Sequence, residues 1–245
     1  LYGHGARNPG DAKITFGTGA FALAVTGHTP LQSPDQGLLP TVAWKLGPRD
    51  TVYAVDGGVF CAGSAVNWAR TLGLFSSYEQ INGFSSPPAI QRDLVFVPAL
   101  SGLGCPHWDR TAAGMWLGLS LDTGPMDMMQ ALLEGIVLRT AEVIREMDDQ
   151  IPIADTVSID GGLTANPYFC QFLADVLNKR IILPTSSELT AMGTALLAAG
   201  IRKAGGLSQG QGQKPYEPKS DKGIFLERFK EAVAKASHWR RDQAH

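Results

Sequence analysis

Only three of the 245 residues are cysteine (Cys61, Cys105 and Cys170), and they are far apart with no Cys-x-x-Cys pair. An odd, scattered set of this kind excludes a disulfide framework and offers no zinc site. No run approaches the roughly 18 apolar residues that a membrane-spanning helix needs. The opening Leu1-Tyr2-Gly3-His4 has neither a basic n-region nor an apolar h-region. Charge of one sign is not in excess either, since 21 basic side chains face 23 acidic ones for a formal net charge of −2. Without a Lys/Arg-dense face, nucleic acid and anionic membranes drop out as leading partners. The expectation is a soluble protein of a reducing, cytoplasmic compartment. Repeats at solenoid or propeller periods are also lacking.

What is present is a core-forming chain, 44% hydrophobic and 18% charged. Its 28 glycines gather in short groups beside apolar runs, as tight turns or loops closely approached by a ligand require. The first residue is Leu, which leads us to expect functional sequence upstream. Short β-branched or aromatic runs predict strands at Lys13 to Phe16, Phe21 to Thr26, Thr41 to Leu46 and Val52 to Val55, joined by Gly/Pro turns into antiparallel hairpins. A helix is expected from Cys61, with Val66, Ala69 and Leu72 about a turn apart and Gly73 as its stop. Residues 76 to 92 read as a loop, and Val95 to Val97 and Met115 to Leu119 as two further strands.

The longest helix signal begins at Pro125. It places Met129, Leu132, Leu133, Ile136, Val143 and Met147 on one stripe, with Asp127, Gln130, Glu134 and Glu142 mostly opposite. Strand Val157 to Ile159, helix Pro167 to Leu177, strand Arg180 to Leu183 and helix Glu188 to Arg202 then give a βαβα succession, which favours a partly parallel sheet covered by helices. Gly205 to Lys222 reads as a polar linker, and Ile224 to Trp239 as a closing amphipathic helix.

Three stretches could carry chemistry. In Phe16-Gly17-Thr18-Gly19-Ala20-Phe21, two glycines around a Thr let N–H groups converge on a small concavity suited to phosphate oxygens; an ordinary glycine hairpin would look the same. In Ile159-Asp160-Gly161-Gly162-Leu163-Thr164-Ala165-Asn166, a strand ends in glycines and opens a helix. That junction can take a phosphate or an adenine, or be a plain turn with Asn166 or Thr164 as N-cap. The third runs Gly102-Leu103-Gly104-Cys105-Pro106-His107-Trp108-Asp109, followed by Gly114 to Leu119 and Asp127 to Glu134. On chemistry alone His107 reads as a packing or capping residue and Glu134 as a solvated one.

Together these stretches resemble the FGGY carbohydrate kinases, over about Leu1 to Gly200 and more loosely to the last helix. Gly114 to Glu134 fits the family's long signature. Gly102 to Asp109 is similar to the GLGAPYWD stretch of members acting on glycerol, with Cys105 and His107 substituted. Phe16 to Phe21 resembles the family's YGTGxF phosphate turn, and Asp160 to Asn166 its DGGxxxN adenosine element. The resemblance implies a C-terminal α/β domain of ribonuclease H-like, actin-like ATPase fold, a mixed sheet flanked by helices. It spans residues 1–204, with a linker loop at 205–222 and a helix at 223–245 packing back on it.

The implied activity is transfer of the γ-phosphoryl of ATP, with Mg²⁺, to a polyol hydroxyl. Glycerol is the expected acceptor, and a pentulose or erythritol the alternative. From other classes come a non-catalytic, actin-like nucleotide-binding module and an α/β domain whose glycines are only structural. By resemblance, Gly17 and Thr18 would contact the ATP phosphates, Gly63 and Asn67 would lie near the nucleotide, Gly162 and Asn166 would hold the adenosine, and Phe21 would pack on the carbon side of the polyol. Asn67 stands where Gln is often found in the family. The catalytic Asp is expected just upstream of Leu1, and the Mg²⁺ carboxylate and most polyol contacts in an N-terminal domain absent from this chain. The chain alone would then be inactive, and the sequence is compatible with a homo-oligomer.

Overall fold

Alternating side chains on the early strands give the sheet two unlike faces, and this difference positions everything else. The computed structural model describes residues 1–31, 37–48, 51–186, 188–201 and 215–241. Its strands are β1 (Ala12–Phe16), β2 (Ala20–Gly27), β3 (Leu39–Lys45), β4 (Thr51–Val59), β5 (Val95–Val97), β6 (Met115–Leu117), β7 (Thr156–Gly161) and β8 (Arg180–Ile182). Its helices are α1 (Gly63–Thr71), α2 (Pro125–Gln150), α3 (Pro167–Leu177), α4 (Leu189–Ala198) and α5 (Phe225–Ala236). Short 3-10 turns occur at Tyr2–His4, Tyr78–Ile81, Ala89–Arg92 and Gly162–Ala165.

The main sheet has six strands in the order β3-β4-β2-β1-β7-β8. The β1–β2, β2–β4 and β3–β4 pairs are antiparallel, and β1–β7 and β7–β8 are parallel. This is the mixed sheet that the hairpins and the βαβα succession imply. On one face Ile14, Phe16, Ala22, Ala24, Val55, Val59, Val157 and Ile159 are buried in the main core with α2 and α3. On the other, Tyr2, Ala6, Val25, Trp44 and Val52 form a small second cluster, while Lys13, Thr15, Phe21, Asp56, Ser158 and Asp160 occupy the alternate positions.

Helix α2 departs from the expected amphipathic stripe. Gln130, Glu134, Arg139 and Glu142, read as its polar side or left aside, are all buried, because α2 packs against β2, β4, β5, α1, α3 and α5 together. A charge so placed must be fully partnered. Glu134 accepts from the Ala89 and Ile90 N–H groups (2.9 and 3.1 Å) and from the Tyr168 hydroxyl (2.5 Å), so it pins the Ala89–Arg92 turn and is not solvated. Arg139 pairs with Glu142 and donates to the Cys105 carbonyl. Burial pushes the Cys105 and Cys170 thiols up to about 12, which makes them apolar fillers without nucleophilic character.

Part of the expected linker, 205–214, lies outside the described residues. The rest is tied down. Tyr216 pairs with Ile181 through two backbone hydrogen bonds, and the buried Asp175 of α3 accepts from the Lys219 N–H and from Gln171 (both 2.9 Å) and pairs with the Lys222 ammonium. Burial alone would raise the Asp175 pKa, but these donors outweigh it and hold the carboxyl below its usual range. Asp175→Ala should therefore lower unfolding free energy by about 1–3 kcal/mol at neutral pH, measured by urea denaturation. A depressed folded pKa means that this contribution is complete above the unfolded-state value of about 3.9 and is lost as pH falls through the folded one. The wild-type and variant curves should converge in acid.

Candidate nucleotide and substrate site

The turn between β1 and β2 is built against the start of α1. The Gly63 N–H donates to the Gly17 carbonyl (3.0 Å), while the Ala62 and Ser64 N–H groups and the Ser64 hydroxyl all donate to the Thr18 carbonyl (2.9, 3.0 and 2.9 Å). A Cβ at Gly63 would lie 2.5 Å from the Gly17 carbonyl oxygen, so only glycine permits this approach. The first N–H groups of α1 are thus consumed by the turn's own carbonyls, and Gly17 and Thr18 remain at the surface. Asn67, a turn further along α1, is exposed, and its Oδ1 accepts from the Tyr78 hydroxyl at 3.0 Å.

Strand β7 runs parallel to β1 with Phe16 opposite Gly161, so the two glycine turns leave the carboxyl ends of neighbouring strands side by side. Ligands of open α/β sheets favour such a place. Gly161 has φ +99°, and a Cβ there would come within 2.2 Å of the Phe16 carbonyl oxygen. Gly162 is the opposite case, since its added Cβ would meet nothing within 4 Å.

Asn166 is buried and doubly engaged. Its Oδ1 caps α3 by accepting from the Phe169 N–H (2.9 Å), and its Nδ2 donates to the Ile81 carbonyl (2.7 Å). Asn67 and Asn166 therefore hold opposite ends of the Tyr78–Ile81 turn, inside a region that reads as featureless loop. The signal for that turn was Ser77-x-x-Gln80, whose Gln80 carbonyl accepts from the Ser77 N–H (3.1 Å).

On the second face of the sheet, beside these turns, lies a polar group that the sequence reading passed over. The buried Lys13 donates to Thr15 Oγ1 (2.8 Å) and to the Phe21 carbonyl (3.4 Å). His4 Nδ1 contacts Ser158 Oγ at 2.8 Å and its Nε2 lies 3.4 Å from Asp160 Oδ2. Burial lowers the His4 pKa against the pull of Asp160. A neutral ring with its proton on Nε2, accepting from Ser158, satisfies both contacts. Burial would raise Asp160, but His4, Thr15 and Lys13 hold it low, whereas for Asp56 burial wins and its pKa rises. The available signal was the polar pairs Lys13/Thr15 and Ser158/Asp160 at alternate positions of central strands, where parallel strands covered on both faces read as continuous apolar runs. The Phe21 ring sits in the same area, 48% exposed. Among the described residues no three His, Cys, Asp or Glu side chains are grouped so as to hold a metal ion, and no helix is long and apolar enough to cross a membrane.

The FGGY family of carbohydrate kinases, C-terminal domain, matches residues 12–200, and the chain belongs to this family. It is 38% identical over 255 residues to a glycerol kinase of Alkalilimnicola ehrlichii, covering 99% of this chain and 50% of that protein. It is 36% identical over 248 residues to a glycerol kinase of Thermococcus gammatolerans, covering 98% and 50%. The crystal structure of Plasmodium falciparum glycerol kinase with ADP aligns with a TM-score of 0.83 at 27% identity, over 96% of this chain and 49% of that one. A ligand-bound xylulose kinase from Lactobacillus acidophilus shares the fold at a TM-score of 0.74 and 23% identity, over 96% and 48%. The chain thus has the actin-like ATPase fold, and it spans about half the length of the curated relatives it matches.

Proposed function

We propose that this chain is the nucleotide-binding half of an ATP-dependent polyol kinase that converts glycerol and ATP to sn-glycerol 3-phosphate and ADP. The observation that carries the reading is the in-register exit of two glycine turns from β1 and β7, beside an exposed aromatic ring. Transfer of a phosphoryl group in line demands positioning and charge neutralisation more than covalent chemistry from the protein. Thr18 and the surface of its turn are suited to the phosphates. The open space over Gly162 leaves room for the adenine, while Phe21 offers a face to the carbons of the polyol. Gly63, Asn67 and Asn166 support the nucleotide by holding the phosphate turn and the Tyr78–Ile81 turn in place.

ATP fits these residues, since neither Gly17 nor Gly162 is crowded. As the family resemblance implies, we assign the catalytic Asp to sequence just upstream of Leu1, and the Mg²⁺ carboxylate and most hydroxyl contacts to an N-terminal domain, in keeping with a chain that spans about half the length of its relatives. In this reading residues 1–204 form the domain proper, 205–222 a connecting loop and 223–245 a helix that returns to it.

The test is a phosphorylation assay of the two-domain protein with ATP and glycerol, erythritol or a pentulose, beside calorimetry of ADP on the 245-residue chain. Glycerol-dependent ADP release by the two-domain protein, with no turnover by this chain alone, is expected. ATP hydrolysis indifferent to every polyol would overturn the kinase reading in favour of a nucleotide-binding module. Preference for a pentulose or erythritol would overturn only the choice of glycerol.

A further inference from the structure

The geometry points to Lys13 as a positioning residue for phosphoryl transfer, bracing both strands at the root of the phosphate turn through Thr15 and the Phe21 carbonyl. This rests on the kinase reading above. Thr15 lies two residues before Gly17 and Phe21 two after Gly19, so the two contacts of one ammonium straddle the turn. One of them fixes the backbone from which the Phe21 ring projects. Lys13 is only 8% exposed, and burying an ammonium is costly unless it is paired. An aliphatic side chain would cover the same sheet position without that cost.

The groups facing Lys13 are arranged to keep it charged without immobilising it elsewhere. Asp160 on β7 and Asp56 on β4 draw its pKa up against the larger downward effect of burial, and the net direction is down. Each carboxylate keeps one buried oxygen with no hydrogen-bond partner among the described residues, so attraction to them leaves the hydrogen bonds of Lys13 to the hairpin. From the N-terminal turn, His4 is the titratable group nearby, and it is spent on Ser158 and Asp160. As pH rises through a lowered lysine pKa the brace loses its charge, and the activity it supports should decline below the ordinary lysine range.

The experiment compares wild type, Lys13→Met, Lys13→Arg and Lys13→Met/Thr15→Val in the two-domain enzyme. Lys13→Met should lower kcat about 10-fold, as expected when reacting groups are held slightly out of place, with ADP affinity and melting temperature near wild type. It should also abolish the alkaline decline of kcat. Lys13→Arg should recover much of the loss, and the double variant should lose no more than Lys13→Met alone, because both changes break one contact. Wild-type kcat in Lys13→Met would overturn the proposal, as would parallel losses of stability, ADP binding and kcat that Arg does not rescue. A wild-type enzyme that phosphorylates no polyol would instead sink the kinase reading itself, and this role with it.

Discussion

Gly162→Val should weaken ADP and ATP binding by about 10- to 100-fold, the equivalent of the 1–3 kcal/mol typical of added bulk in a filled site, while leaving the melting temperature unchanged. The separation of effects follows from the neighbouring glycine. Space over Gly162 is open in the free protein, so a valine there folds without contact and is felt only when a nucleotide arrives. Gly161 carries the positive φ of the pair, and its missing side chain faces the Phe16 carbonyl. Gly161→Val should therefore fail to fold stably, which supplies an internal control. Separate titrations of nucleotide and polyol in the two-domain protein decide the matter. A fall in both affinities, or in melting temperature, would show that Gly162 is structural.

Phe21→Ala should lower kcat/KM for glycerol by about 10- to 100-fold, as 1–3 kcal/mol of lost apolar contact implies, with nucleotide affinity and thermal stability nearly unchanged. A strand phenylalanine buried in the core would give the opposite pattern and cost about 3–5 kcal/mol of stability. Phe21 is 48% exposed, and its partner across the sheet is Gly58, so its ring packs on backbone with little else to lose. The Lys13 bond to residue 21 is made by the carbonyl and survives the substitution. Unchanged glycerol kinetics in Phe21→Ala would remove the chain's direct support for a small polyol.

Elements with chemical punctuation were legible in the sequence. Helix α3 occupies the expected Pro167 to Leu177 because Asn166 caps its start, Pro167 sets φ at the first position, and Asn178 ends it with φ 49°. Strand β4 runs on past the expected Val55 to Val59 with Gly57 inside it, and the missing side chain at Gly57 leaves room for Val143, Leu38 and Cys105. The α2 pattern misled because period alone assumes one wet side, and nothing local in Gln130, Glu134 or Arg139 announces helices and strands on every flank. At the candidate site the glycine turns were readable from local rules. The grouping of His4, Lys13, Asp56 and Asp160 was not, because it depends on which strands become neighbours.

The pairing of Phe16 with Gly161 joins strands that lie far apart in the sequence. Loop closure over such a span is slow compared with forming hairpins or helices, so the β1–β2 and β3–β4 ribbons can exist before β7 docks beside β1. Neither glycine turn gains its neighbour until that docking occurs. In the proposed reading, a nucleotide that needs both turns would recognise the completed topology and not its early fragments, and by mass action would shift the balance from partly assembled chains to the native one. Ligand binding would then act as a late checkpoint on folding.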